Sequence, residues 1–254
     1  MLLKNFAKIV ACTLTLNNAV AQEMGTGRIE QVSRHMGEMS MQMDLSDETN
    51  NESQPVQETL RFEPWQMLDD LFRDDVVFLM RHGPTDWSRR DMVNVAPTDC
   101  SNQRVMTGEG QEQIRKMGIL LAGNGIIPGR IVVSEWCRNH QTLDALIDGI
   151  SLLDPEFRDR TEIEVNSAAN LLLSLQGAPN VTELREMISS WHGDKDGPLM
   201  IISHFTNIAE LTEFNVYEGE ALIVDPDRNN RILGYIRLKS AAPDEGHFDD
   251  KVAR

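Results

Sequence analysis

The sequence predicts one α/β domain of three layers, in which a mostly parallel sheet carries helices on both faces. Three observations point to this fold. Short, largely apolar runs recur at 76–80, 131–134 and 199–203, which is typical of strands buried on both faces of a sheet. Segments with helical spacing separate these runs, so strands and helices alternate along the chain. A length of 254 residues with 41% apolar residues is enough for one sizeable core.

The elements can be assigned in order between residues 63 and 238, the predicted limits of the domain. An amphipathic pattern predicts a short helix at 63–72. Thr107 is the expected N-cap of a helix that ends near residue 123, because its hydroxyl can accept a hydrogen bond from the first turn. A turn-rich segment at 225–230 indicates a hairpin at the far edge of the sheet. The other predicted elements are helices at 136–149, 181–192 and 204–211 and strands at 162–165, 219–224 and 231–238.

The first residues have the pattern of an export signal. Two lysines precede an apolar stretch at 9–16, and no acidic residue lies before Glu23. Ala-Val-Ala at 19–21 fits a signal cleavage site. An amphipathic N-terminal helix is the alternative interpretation. We expect residues 1–21 to be removed and the mature protein to be periplasmic or secreted.

Residues 22–62 have the composition of a flexible linker. Residues 22–61 hold eight acidic and three basic residues and no aromatic residue, so they offer little apolar surface to bury. His35 and the methionines between 36 and 43 could hold Cu(I), since thioethers suit that ion, but a disordered Met-containing tract is the simpler interpretation. The polar residues 239–254 are predicted to form a flexible tail.

The overall charge limits the classes of ligand. A formal net charge of −16 disfavours binding to nucleic acid or to anionic lipid. No apolar run of about 18 residues predicts a membrane-spanning helix. Any anionic ligand must therefore bind in a local cationic pocket. Nothing in the pattern predicts an oligomeric state.

Four basic side chains lie just after the predicted strands. Arg81 and His82 follow the first apolar run. Arg138 comes four residues after the second run, and His204 comes directly after the third. Because ligands of open α/β sheets bind beyond the carboxyl ends of the strands, these side chains should converge on one pocket. Guanidinium and imidazole groups in such a pocket favour a small dense anion such as phosphate.

The motifs that contain these residues carry a family resemblance. They are Arg-His-Gly at 81–83, Ser-Glu-Trp-Cys-Arg-Asn-His-Gln-Thr at 134–142 and Ser-His at 203–204. In this order, each at a strand end, they resemble the histidine phosphatase superfamily, which has the phosphoglycerate mutase-like fold. The resemblance covers residues 76 to about 238. The polar segment 99–110 is similar to that of exported bacterial members, the branch that includes lipopolysaccharide core heptose phosphate phosphatases.

The resemblance implies an exported phosphomonoesterase that acts on a small phosphorylated substrate, such as a sugar phosphate, without a metal or other cofactor. His82 would be the nucleophile that forms a phosphohistidine, while Arg81, Arg138 and His204 would hold the phosphoryl oxygens. Because His82 must be neutral to attack and His204 binds phosphate better as a cation, we expect unequal environments to separate their pKa values. The implied substrate-binding residues are Gln103, Arg104 and Asn207.

The residue that protonates the leaving group is less evident. Branches of the superfamily with His-Asp at the second histidine would need an acid at Phe205, and this chain has none there. Glu135 and Glu164 are the candidates.

Two other functions use the same residues. One is a phosphoglycerate mutase-like phosphotransferase, which the export pattern disfavours because an exported enzyme would rarely meet bisphosphorylated sugars. The other is a non-catalytic anion-binding domain or Met-rich metal carrier, which the complete set of arginines and histidines disfavours.

The cysteines predict a disulfide bond. Of the three, Cys12 lies in the predicted signal, which leaves Cys100 and Cys137 as one pair in an oxidising compartment. The bond would join the segment that contains Arg104 to the residue beside Arg138.

Overall fold

The computed structural model describes residues 38–40, 58–62, 68–174, 177–193 and 195–243. Within these residues, the strands in chain order are β1 (Glu38–Ser40), β2 (Thr59–Phe62), β3 (Val77–Arg81), β4 (Arg130–Val133), β5 (Glu162–Val165), β6 (Leu199–Ser203), β7 (Ala221–Asp225) and β8 (Arg231–Leu238). The helices are α1 (Gly108–Gly123), α2 (Cys137–Ser151), α3 (Phe157–Arg160), α4 (Thr182–Ser189) and α5 (Phe205–Thr212). Short 3₁₀ helices form at Leu68–Phe72, Cys100–Asn102, Ser167–Ala169 and Pro226–Arg228.

Some predictions fall outside the described residues. These are the signal segment at 1–21, the Met-rich cluster with His35, the first part of the helix predicted at 63–72, and the tail from residue 244 onward. No helix in the described part of the chain is long and apolar enough to cross a membrane.

The strands form one mixed sheet in the order β1-β2-β8-β7-β3-β6-β4-β5. Pairing is parallel between β3 and β6, β6 and β4, and β4 and β5. The other four pairings are antiparallel. The predicted α/β class is confirmed. The sheet is parallel only in the half that contains β3 to β6, because β1, β2, β7 and β8 in the other half pair in antiparallel orientation.

The domain begins earlier and ends later than predicted. β2 pairs with β8, and the fully buried Leu60 is part of the core, so the boundary at residue 63 and the linker assignment are wrong for this strand. For the same reason the hairpin lies inside the sheet and not at its edge. The Lys239 N–H donates to the Thr59 carbonyl at 2.8 Å, and the Ser240 N–H donates to the Glu58 carboxylate at 3.1 Å. The first residues of the predicted flexible tail are therefore bound to the sheet.

Helices cover both faces of the sheet and create two core clusters. On one face, Phe78 and Met80 of β3 lie in the cluster that includes apolar residues of α1 and α2. On the other, Val77 and Leu79 lie with residues of α4 and α5. Successive residues of a strand point to opposite faces, so a run that is apolar throughout is the pattern that a sheet covered on both faces requires. The predicted three layers are present.

The carboxyl ends of β3, β4 and β6 meet at one edge of the parallel half-sheet. β7 runs antiparallel to β3, so the loop that precedes it, 213–220, arrives at the same edge. The loop after β3 leads to α1, where the Thr107 hydroxyl accepts from the Gly110 N–H at 2.8 Å, as predicted for the N-cap. These connections bring the sequence motifs together at one end of the sheet.

Candidate active site

His82 follows β3 directly and is buried. Its Nδ1 lies 3.0 Å from the carbonyl oxygen of Gly83. A carbonyl can only accept, so Nδ1 carries the ring proton and Nε2 keeps its lone pair. Burial lowers the pKa of His82 well below its ordinary value, and the charges of Arg138 and Arg81 act in the same direction. The ring is therefore a neutral imidazole with one free nucleophilic nitrogen.

Close packing explains why a glycine, Gly83, follows His82. A Cβ at Gly83 would lie 2.5 Å from side-chain atoms of both Ile114 and Met106. The Gly83 N–H donates to the Thr142 hydroxyl at 2.8 Å, and that hydroxyl donates to the Arg138 carbonyl at 2.7 Å. The end of β3 is thus tied to the first turn of α2, which fixes His82 relative to Arg138.

Arg81, the last residue of β3, is fully buried. Its Nη1 donates to the Val216 carbonyl at 2.9 Å, and its Nη2 donates to the Glu218 carboxylate at 3.3 Å. The guanidinium lies over the Phe205 ring, 5.2 Å from the ring centroid. These contacts hold a permanent positive charge beside His82.

Arg138 lies in the first turn of α2 and is also buried. Its Nη1 donates to both carboxylate oxygens of Asp91 at 3.1 Å, and the guanidinium lies 4.6 Å from the Trp136 ring centroid. Burial lowers the pKa of Arg138, an effect that the Asp91 carboxylate opposes, yet an arginine stays charged at neutral pH. The buried Nε of Arg138 has no hydrogen-bond partner in the described part of the chain. Asp91 therefore holds one edge of a buried, charged guanidinium that acts on His82.

His204 follows β6 and is the N-cap residue of α5. Its ring centroid lies 5.5 Å from that of His82, with the rings edge to face. Burial lowers the pKa of His204 well below its ordinary value, and Arg138, Arg81 and Arg104 lower it further. Both histidine pKa values are therefore lowered, largely by the same causes, and their expected separation stays a prediction.

Arg104 lies close to this group. Its charge lowers the pKa of both Arg138 and His204. Its guanidinium stacks on the Trp87 ring, 3.6 Å from the centroid, and its backbone N–H donates to Asp91 at 2.7 Å. Three arginines and two histidines thus converge at one end of the sheet.

Gln103 and Asn207 do not fit their predicted substrate-binding roles. Both amide hydrogens of Gln103 are used by the carbonyls of residues 96 and 97, and its oxygen accepts from the Cys137 N–H. Asn207 donates to the Asn170 carbonyl at 2.8 Å and accepts from the Leu172 N–H at 3.1 Å. Both residues are fully buried and brace loops around the site.

The site also contains residues that the sequence did not indicate. Glu218 accepts hydrogen bonds from the Thr85 N–H and hydroxyl, from the Trp87 indole and from Arg81. Asp91 likewise accepts hydrogen bonds from Arg138. Glu218 and Asp91 lie in loops, where the sequence has no periodic pattern. The one feature of the sequence that could have drawn attention to these loops is Trp87, an isolated aromatic residue in a polar segment.

The two candidate general acids lie in different surroundings. Glu164 is on the edge strand β5, and hydrogen bonds from Asn166 and Arg130 lower its pKa, which disfavours a role as a proton donor. Glu135 follows β4, and its carboxylate accepts from the Asn170 side chain at 2.6 Å. Of the two candidates, only Glu135 is linked to a site histidine among the described residues, through Asn170 and Ser134 to His204.

The predicted disulfide between Cys100 and Cys137 is confirmed, with a Cα–Cα distance of 5.5 Å. It joins the 3₁₀ helix Cys100–Asn102, four residues before Arg104, to the first residue of α2. The same disulfide bond therefore stabilises the fold and fixes the segments that contain Arg104 and Arg138 relative to each other.

Replacing both cysteines with serine should lower the free energy of unfolding by about 4 kcal/mol, the entropy expected for closing a loop of this size. The two cysteines are 37 positions apart. Urea unfolding measured with and without reductant tests this, since the double variant should be insensitive to reductant. A loss below about 1 kcal/mol would contradict the expected contribution.

The buried neutral histidines predict a pH dependence of stability. Their folded pKa values lie below the ordinary 6.5, so between these values the unfolded chain binds more protons than the folded one. Stability should be full above about pH 6.5 and should fall as the pH drops below it, by about 1 kcal/mol per histidine and pH unit. Urea unfolding across this range should show a shallower slope for His82→Asn. If the dependence of stability on pH were the same in His82→Asn, the lowered folded-state pKa of His82 would be contradicted.

Among the residues that the structure describes, no group of three or more His, Cys, Asp or Glu side chains could hold a metal ion. The cationic character of the site comes from its arginines.

Several solved phosphatases are similar to this chain in structure. The protein histidine phosphatase SixA in complex with tungstate has 22% sequence identity and a TM-score of 0.45, with 62% of this chain and 93% of that chain covered. A mycobacterial glucosyl-3-phosphoglycerate phosphatase has 16% identity and a TM-score of 0.41, with 65% and 96% covered. The ecdysone phosphate phosphatase of Bombyx mori has 12% identity and a TM-score of 0.43, with 70% and 99% covered. No protein-family model and no curated protein matches the chain.

Proposed function

We propose that this protein is an exported phosphomonoesterase of the histidine phosphatase type, which hydrolyses a small phosphorylated substrate through a phosphohistidine at Nε2 of His82. The observation that carries this proposal is the state of that imidazole. Its proton is held on Nδ1 by the Gly83 carbonyl, and its Nε2 lone pair has no hydrogen-bond partner among the described residues and lies near the charges of Arg138 and Arg81. A neutral nucleophile surrounded by fixed positive charge suits attack on a phosphate dianion.

The first step forms a bond between Nε2 of His82 and phosphorus and breaks the bond from phosphorus to the leaving oxygen. That oxygen takes a proton from solvent as it departs and becomes a hydroxyl. In the second step water attacks phosphorus, the N–P bond breaks, and the attacking water returns one proton to solvent, so that inorganic phosphate leaves with the imidazole restored. Negative charge on the phosphoryl oxygens is largest during both transfers, where Arg81 and Arg138 stabilise it.

The unpartnered donor of Arg138 supports a site built for an oxyanion. A buried donor without an acceptor costs about 1–3 kcal/mol, and a charged one costs more. Asp91 holds Nη1 of Arg138, so the guanidinium keeps its orientation, and its buried Nε has no acceptor among the described residues. A phosphoryl oxygen would satisfy it.

Export is supported by the signal-like pattern at 1–21 and by the disulfide that closes next to the site. The substrate class is a small phosphomonoester that reaches such a compartment, and sugar monophosphates are the first to test. A phosphotransferase would pass the phosphoryl group to a sugar hydroxyl, whereas this proposal sends it to water.

Phosphate release from a panel of sugar, lipid-headgroup and nucleotide monophosphates tests the proposal. We expect release with at least one class, unaffected by EDTA and inhibited by tungstate, which resembles phosphate in size and charge. Activity lost on chelation and restored by a divalent ion would contradict it. So would retention of the phosphoryl group on sugar in place of release as inorganic phosphate.

A further inference from the structure

A second hydrogen-bond chain lies behind His204. The Ser134 hydroxyl, at the end of β4, lies 3.0 Å from Nε2 of His204 and 2.9 Å from Oδ1 of Asn170. Ser134, Asn170 and His204 are all at least 99% buried. A hydroxyl has one proton, so it can donate to only one of these two neighbours.

The orientation of Asn170 decides which one. Its Oδ1 accepts from the backbone N–H of Glu135 at 2.9 Å, and its Nδ2 donates to the Glu135 carboxylate at 2.6 Å. A flipped amide would lose both contacts, so the atom facing Ser134 is the carbonyl oxygen. That oxygen cannot donate, and the Ser134 proton must go to it.

The Ser134 oxygen then accepts from His204. The imidazole proton therefore sits on Nε2, and Nδ1 carries the lone pair. Nδ1 is buried and has no hydrogen-bond partner among the described residues. The charged or titratable groups around the ring are Arg81 and His82 from β3, Arg138 from α2, Arg104 from the loop before α1 and Glu135 through Asn170.

We propose that Ser134, oriented by Asn170, is a positioning residue that keeps the proton of His204 on Nε2 and reserves Nδ1 for the phosphoryl group, where Nδ1 takes up one proton when a dianion binds. This inference rests on the proposed function. A lone pair facing a dianion repels it, whereas an N–H donates to it, so binding couples to uptake of one proton from solvent. The bound state is then an imidazolium and a dianion.

In the absence of an anion, this histidine stays neutral for a physical reason. Its burial and the three arginines disfavour a further positive charge. A bound dianion offsets those arginines and reverses the balance. His204 thus becomes a cation only when the anion is present, so the protein gains a charged phosphate ligand without adding a further positive charge to the free site.

Nitrogen NMR of histidine-labelled protein tests the proposal directly. A His204→Gln variant assigns the signals of the ring. At a pH above the ordinary histidine pKa, the free protein should show His204 as the Nε2–H tautomer. Tungstate, a dianion under these conditions, should convert the ring to the form protonated on both nitrogens.

Ser134→Ala removes the acceptor, and Ser203→Ala is the matched control. The Ser203 hydroxyl is equally buried at the end of the adjacent strand but donates to the Ala169 carbonyl. Ser134→Ala should leave a mixture of tautomers and lower kcat/KM by about tenfold or more, since a wrong tautomer removes the intended ligand atom. Ser203→Ala should retain the Nε2–H tautomer.

The outcomes separate the two proposals. An Nδ1–H tautomer in the free protein, or a ring that stays neutral with tungstate bound, would overturn the role of Ser134 while leaving the phosphatase intact. Absence of tungstate binding together with absence of hydrolysis would overturn the proposed function, and the inference with it.

Discussion

His82→Ala is expected to abolish phosphate release, with kcat lowered by at least about 10⁴, the scale of losses seen when a nucleophile is removed. The reason is that Nε2 of His82 forms the bond to phosphorus. The arginines that remain can bind substrate but cannot attack it. Steady-state phosphate release with a substrate identified from the panel measures the loss.

His192→Ala is the control for this prediction. His192 is exposed, and its Nδ1 lies 3.4 Å from Oδ1 of Asp227, which follows β7 at the end of the sheet opposite to His82. Its replacement should leave kcat unchanged. A His82→Ala protein with full activity would contradict the mechanism, provided that thermal unfolding shows a folded domain.

Arg138→Ala should lower kcat by about 10³, because a guanidinium clamp on a transferring phosphoryl group has an effect of this size. The substitution removes the unpartnered Nε donor and also leaves Asp91 without its cation. Arg138→Lys keeps the charge but not the planar fork, so it should restore only part of the rate.

Arg115→Ala is the matched arginine control. Arg115 lies on α1 and pairs at the surface with Glu112. Its loss should change neither kcat nor KM. A loss below tenfold for Arg138→Ala would place Arg138 outside the reacting centre.

The sequence predicted the parts of the fold that depend on local patterns. The apolar runs gave β3, β4 and β6 because burial on both faces leaves a continuous signature, and the strand-end rule then placed Arg81, His82, Arg138 and His204 together. β2 was missed because its four residues lie in a polar, acidic tract. Its partner, β8, is more than 170 residues away in the chain, and no local pattern reports such a pairing.

Local sequence patterns could not predict which way the polar side chains of the site point. Gln103 lies next to Arg104 in the sequence, yet one side chain braces a loop while the other contributes charge to the site. Glu218 reaches Arg81 across 137 positions. Which way an amide or carboxylate points depends on such long-range contacts, so only the structure separates bracing residues from ligands.

Trapping the phosphohistidine at His82 tests the proposed mechanism most directly. Enzyme mixed with radiolabelled substrate should be quenched in base, because phosphohistidine survives base and is lost in acid. We predict label on the peptide that contains His82, at no more than one phosphate per chain, and no label in His82→Ala. Label on another residue, or turnover with no label at any quench time, would contradict the account.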